Sequence, residues 1–138
     1  MVQDIASVTR RYKFSASHRL HAECLSPEDN LRVFGKCNNP NGHGHNYVVY
    51  VTVRGPVRSE EGTVVDAGEL DQIVTDRIVH RFDHRDLNRD RGFAGQTTTG
   101  ENLVRFIWEL LVKEIPTGEL EKVGLVETRD NYFEYSGN

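Results

Sequence analysis

Along residues 8 to 18, VTRRYKFSASH, side-chain character alternates. Val8, Tyr12, Phe14, Ala16 and His18 fall on one face of an extended chain, and Thr9, Arg11, Lys13, Ser15 and Ser17 on the other. Period-two alternation marks a strand with one face buried, because successive side chains leave opposite faces of the pleat. Residues 19–44 lose the pattern. They are polar and contain Pro27, Gly35, Pro40, Gly42 and Gly44, which predicts a long loop of the kind that often carries function. HNYVVYVTVRGPV, residues 45–57, is dense in β-branched and aromatic residues and predicts a second strand. The period then changes. In VDAGELDQIVTDRIVHRF, residues 65–82, Leu70, Ile73, Val74, Ile78 and Phe82 recur at helical spacing, and Asp66 with Glu69 three residues on has the form of a capping box. A second helix is predicted from about Gly100 to Glu114, with Leu103, Phe106, Ile107, Leu110 and Leu111 on its apolar side and Pro116 just past its end. LEKVGLVET and NYFEYSG read as two last strands joined by an Arg-Asp-Asn turn.

The order strand, strand, helix, helix, strand, strand predicts an α+β fold: a four-stranded antiparallel sheet with its helices on one face. Such a sheet has two edges to blunt or pair, so association through the sheet is expected. At 138 residues, the chain is expected to form one domain over 1–138. Hydrophobic residues at 37% and charged residues at 28% argue for a globular chain. The net charge is −4 and no basic patch stands out, which argues against nucleic acid as a partner. No apolar run approaches the roughly 20 residues that span a bilayer, so no membrane partner is expected. MVQDIASVTRRYKF lacks the apolar core of a secretory signal, and a cytoplasmic location is the expectation. Cys24 and Cys37 are then expected to stay reduced, leaving Cys37 free to act as a ligand, nucleophile or base.

Chemistry concentrates in KCNNPNGHGHNYVV, residues 36–49. His43 and His45 are two apart at the mouth of a strand, so their side chains leave one face. Antiparallel pairing of the first two strands would bring His18, which ends the first, beside them. Three neutral imidazoles suit zinc and leave a fourth position open for water or substrate. The competing reading is a polar turn with solvated histidines. Gly42 and Gly44 would allow the backbone to approach a ligand closely. Cys37, near a cation and an imidazole, would serve as a base; it would equally serve as a fourth ligand in a closed site, or as a small buried apolar residue. Asp83-His84 offers a carboxylate–imidazole unit, against which RFDHRDLN reads more simply as the frayed, charged end of a helix. Glu127 alternates with Val123 and Leu125, which puts a carboxylate on an apolar face, where it needs donors. Two adjacent ligand N–H groups would satisfy it bidentately. Thr98 to Glu101 has capping-box spacing, so Glu101 reads as a helix cap.

Taken together, FSASHRL, NLRVFGKCNNPNGHGHNY, FDHRDLN, Thr99 to Asn102 as T-x-E-N, and the strand-end VET resemble the 6-pyruvoyl-tetrahydropterin synthase family over essentially the whole chain. The resemblance implies the tunnelling fold, in which three subunits join their sheets into a barrel and two trimers stack into a hexamer. It also implies a zinc-dependent lyase of tetrahydrobiopterin biosynthesis. Its reaction converts 7,8-dihydroneopterin triphosphate to 6-pyruvoyl-tetrahydropterin plus triphosphate, by an internal redox transfer. By resemblance, His18, His43 and His45 match the zinc ligands and Cys37 the catalytic proton acceptor. Asp83 and His84 match a catalytic pair supplied by a neighbouring subunit, and Glu127 matches the carboxylate that anchors the pterin. Thr99 matches a threonine near the pterin ring, whereas Gly100 departs from the second threonine that animal members often carry. The reaction moves hydrogen from side chain to ring, so no nicotinamide or flavin is expected, and no G-x-G-x-x-G joins a strand to a helix. Two alternatives stand beside this: the related 6-carboxy-tetrahydropterin synthase of deazaguanine biosynthesis, whose cysteine usually lies closer to the H-G-H pair, and a non-catalytic zinc-binding protein.

Overall fold

The computed structural model describes residues 4–138. Strand β1, Ile5–His18, pairs antiparallel with β2, His43–Pro56, in a register that runs from Ile5 opposite Pro56 to His18 opposite His43. Helix α1, Pro27–Phe34, lies between them. After β2 come α2, Ala67–Val74, a π-helical turn, Thr75–Val79, and the short α3, His80–Phe82. Strand β3, Arg85–Asp86, helix α4, Gly100–Leu111, and strands β4, Glu119–Glu127, and β5, Asn131–Tyr135, complete the chain. The sheet order is β3-β1-β2-β4-β5.

The predicted alternation holds. On one face of the sheet Phe14, Ala16, Tyr47, Val49, Val51, Val123 and Leu125 are buried, and they form one cluster with Leu70, Val74, Ile78 and Phe82 before β3 and Leu103, Ile107 and Leu111 of α4. Asp66 caps α2 by accepting from the Glu69 amide at 2.9 Å. The helical region predicted over 65–82 is thus continuous but widened by the π turn.

Three expectations are corrected. Residues 19–44 are not all loop. Ser26 accepts from the Asp29 amide at 3.1 Å and Pro27 opens α1, a helix start that needs no backbone donor from proline. Second, RFDHRDLN is not a frayed helix end. The helix stops at Phe82, His84 takes a left-handed φ of 59°, and Arg85 and Asp86 join the sheet parallel to Ala16 and Ser17. This adds a fifth, two-residue strand to the four expected. Third, the cap of α4 is Thr99, which accepts from the Asn102 amide at 3.2 Å, so Glu101 is an exposed first-turn residue.

Gly100 is set by space. A Cβ built there would lie 2.1 Å from the Phe133 ring of β5. The phenyl group occupies the volume a side chain at position 100 would need, which accounts for glycine at this position. Gly100→Ala is expected to lower stability by about 1–3 kcal/mol, the usual cost of overpacking. Adding Phe133→Val should recover most of that loss in thermal melts; melts that add independently would show that the two residues do not share the space.

Candidate metal and pterin site

His18 closes β1 with no exposed surface. Its Nδ1 lies 2.8 Å from the Thr98 carbonyl, which only accepts, so Nδ1 carries the proton and Nε2 the lone pair. That Nε2 is a buried side-chain atom with no hydrogen-bond partner among the described residues. His45 is one strand over, its ring centroid 4.7 Å from that of His18 at 85°. Its Nδ1 lies 2.6 Å from the Thr128 hydroxyl, leaving Nε2 for the interior. His43 stands opposite His18 in the register, with its ring 4.7 Å from His45. Gly42, with φ of 84°, makes the turn into this strand end, a backbone conformation that a side chain would strain. A Cβ at Gly44, by contrast, would meet no protein atom within 4 Å.

Cys37 enters from the 3-10 turn Gly35–Asn38, which the bond from the Leu20 amide to the Cys37 carbonyl (2.7 Å) ties to the end of β1. Its Sγ lies 3.9 Å from His45 Nε2. Both Cys24 and Cys37 are free thiols. The donor atoms of His18, Cys37 and His45 lie within 4.8 Å of one another, and this set can hold a metal ion. It contains Cys37 rather than His43, although the three imidazoles are neighbours.

Glu127 ends β4 directly opposite Tyr47 and is 7% exposed. Tyr47 donates to its Oε2 at 3.5 Å, and His45 Nε2 lies 3.9 Å from Oε1. Among the described residues no lysine or arginine pairs with this carboxylate.

Burial dominates the electrostatics. It pushes His18 and His45 below the usual histidine range, towards the neutral form that binds metals. Burial, with the Glu127 charge second, pushes the Cys37 thiol up. Burial beside Glu127 also pushes the Tyr47 phenol well above its ordinary value, so it stays a donor.

Asp83 and His84 stand apart from this group. The Ser15 amide donates to Asp83 at 3.0 Å and holds its carboxyl below the usual range, and His84 Nδ1 lies 3.0 Å from the same carboxylate. The left-handed backbone of His84 is what lets two adjacent residues meet. The His84 side chain, 84% exposed, borders a cleft of about 580 Å³ with Ser15, Ser17, Asn46 and Thr128. No hydrogen bond or ion pair among the described residues joins it to Cys37 or Glu127. Thr99, half-buried, spends its hydroxyl on the cap of α4. Tyr47, Thr98 and Thr128 are site residues that the sequence pattern did not single out.

A sequence model of the family described as 6-pyruvoyl tetrahydropterin synthase matches residues 7–138. The chain belongs to this family. The human protein named 6-pyruvoyl tetrahydrobiopterin synthase is 47% identical over 133 residues, covering 96% of this chain and 92% of its own. The solved Caenorhabditis elegans 6-pyruvoyl tetrahydropterin synthase superposes with a TM-score of 0.93 at 40% identity, over 100% of both chains. An Archaeoglobus fulgidus protein named as a putative 6-carboxy-5,6,7,8-tetrahydropterin synthase is 32% identical over 88% of this chain and 87% of its own. The likeness to the pyruvoyl branch of the family is thus both longer and stronger.

Proposed function

We infer that this chain is the lyase its family is named for, converting 7,8-dihydroneopterin triphosphate to 6-pyruvoyl-tetrahydropterin and triphosphate. The observation that carries the reading is one group of side chains: two imidazole Nε2 atoms, the Cys37 thiol and the cation-free carboxylate of Glu127 meet at the ends of β1, β2 and β4.

The donor set fits zinc. His18 and His45 have their Nδ1 atoms engaged and their Nε2 atoms turned to one centre; the Thr98 carbonyl fixes the His18 tautomer and the Thr128 hydroxyl orients the His45 ring. We assign His18, His43 and His45 as the residues that would hold it. Bound there, zinc would supply Lewis acidity towards the side-chain hydroxyls of the substrate and a positive charge favouring ionisation of the Cys37 thiol. Glu127 accepts from the amino-pyrimidinone edge of the pterin and fixes the ring. Thr99, at the head of α4, lies beside that ring. Cys37 takes protons from the substrate carbons, and His84, held by Asp83, passes them on. Among the described residues no hydrogen bond or ion pair joins His84 to Cys37, and we propose that the two act together across a subunit boundary. We propose a trimer closed through the open sheet edges, two trimers stacking into a hexamer, in the cytoplasm.

A second reading has its own observation: Cys37, not His43, is in the tightest donor group. A closed site with Cys37 as ligand would bind zinc without catalysis. Incubating the purified protein with dihydroneopterin triphosphate and identifying the product tests the activity. The expected metal contents are loss in His18→Ala, His43→Ala and His45→Ala, and retention in Cys37→Ala. A zinc-free Cys37→Ala protein would sink the open-site assignment, and a stable monomer in sedimentation would sink the shared site.

A further inference from the structure

The phenol of Tyr47 has no role in the chemistry above, yet its placement is tightly determined. The residue is 1% exposed. Its ring stacks on Phe14 at 5.0 Å and 21°, and meets the His45 ring edge-on at 5.8 Å. Packed between these two rings, the phenol keeps its oxygen in one place. The hydroxyl points to Glu127 Oε2 at 3.5 Å, its hydrogen-bond partner among the described residues. Among the described residues no lysine or arginine pairs with Glu127, and its other oxygen, Oε1, lies 3.9 Å from His45 Nε2. A carboxylate on a flexible side chain turns about its last bond, and that torsion is broad. Bidentate recognition of two adjacent N–H groups needs the carboxylate plane fixed against the plane of the ligand. Each carboxylate oxygen has two acceptor sites, so Oε2 takes the phenol proton and still accepts from a ligand.

We propose that Tyr47 is a positioning residue for the reaction: its hydroxyl sets the rotation of the Glu127 carboxylate, and thereby selects ligands that present two adjacent N–H donors over those that present a carbonyl at the same edge. This rests on Glu127 as the pterin anchor. The sheet register makes the arrangement possible, because Tyr47 and Glu127 are cross-strand neighbours and their side chains leave the same face. The chemical class selected is a 2-amino-4-oxopyrimidine fused ring. Its 2-oxo counterpart, lumazine, replaces one donor with an acceptor that faces the carboxylate.

Tyr47→Phe keeps the ring and its stacking and removes only the hydroxyl. The test uses zinc-loaded parent, Tyr47→Phe and Glu127→Gln proteins, with affinities for pterin and for lumazine measured by fluorescence quenching, alongside KM, kcat and thermal melts. For Tyr47→Phe, pterin affinity and the preference of pterin over lumazine should each fall about five- to tenfold, the scale of one long hydrogen bond to a charged group. KM should rise by a similar factor, with kcat at saturation and the melting temperature close to the parent. Loss of pterin binding in Glu127→Gln, with parent-like affinity and preference in Tyr47→Phe, would overturn the role of Tyr47 and leave the anchor standing. Parent-like pterin binding in Glu127→Gln would remove the anchor, and this inference with it. A Tyr47→Phe protein that lost stability and kcat together while keeping its preference would show the phenol to be structural, which also overturns the proposal.

Discussion

Cys37→Ala is expected to cut turnover by at least about 10²–10⁴-fold, the usual contribution of a positioned general base, while ligand binding changes little. Two features of the site set this expectation. The thiol is half-buried and close enough to His45 Nε2, at 3.9 Å, to share the substrate space, and a positioned thiol is a better proton acceptor than the water that would replace it. Burial and the Glu127 charge also oppose ionisation, so the chain by itself holds a thiol rather than a thiolate. Activity should therefore fall with zinc depletion faster than pterin affinity does. Cys37→Ser should rescue poorly, since a hydroxyl gives up its proton far less readily than a thiol does. The measurement is triphosphate release in a single turnover, with both variants loaded with zinc. Near-normal rates in both would move proton acceptance from Cys37 to His84.

The fold was legible where burial imposes a period. β1, β2 and β4 each have a buried face, β5 packs Phe133 and Tyr135 half-buried against the core, and α2 and α4 each carry an apolar stripe, so the hydrophobic pattern located all of them. α1 has no such stripe: Leu31 and Val33 are 63% and 53% exposed, and the helix is specified by its Ser26-Pro27 start and by Asn30. The buried Asn30 side chain bonds the Ala22 amide and the carbonyls of Ala22, Leu25 and Ser26, a network with no periodic signature. β3 was missed for a related reason. Two exposed polar residues join the sheet because His84 reverses the chain, and a left-handed histidine leaves no mark on a hydropathy pattern.

The site divides along the same line. Strand parity put His18, His43, His45 and Glu127 on one face, and antiparallel pairing brought the histidines to one end of the sheet. The groups that set their chemistry were not legible. The Thr98 carbonyl that fixes the tautomer of His18 lies 80 residues away in sequence and is a backbone atom, which no residue pattern reveals. Thr128, which engages His45, has a positive φ of 47° in the turn after β4. Tyr47 read as one more aromatic strand residue until its hydroxyl was found opposite Glu127. The proposed ligand residues follow from periodicity, whereas their orienting partners follow from tertiary contact.

Glu127→Gln is expected to weaken pterin binding by roughly 10²–10³-fold, because one charge-assisted hydrogen bond is lost and the other loses its charge. The change is nearly isosteric. It replaces one acceptor oxygen with an NH₂ group, so a ligand N–H would face another donor in a buried site, where an unmatched donor is costly. Among the described residues the polar partners of this side chain are the Tyr47 hydroxyl and the His45 ring, which adapt to a neutral amide, so folding should persist. Zinc should be retained, because Glu127 is outside the proposed ligand set. Turnover should fall with binding, and raising the substrate concentration should recover part of it. The decisive comparison is calorimetric titration of 7,8-dihydroneopterin into the zinc-loaded parent and variant. Equal affinities would reduce Glu127 to a strand carboxylate satisfied by Tyr47, and would move pterin recognition to the Thr99 end of α4.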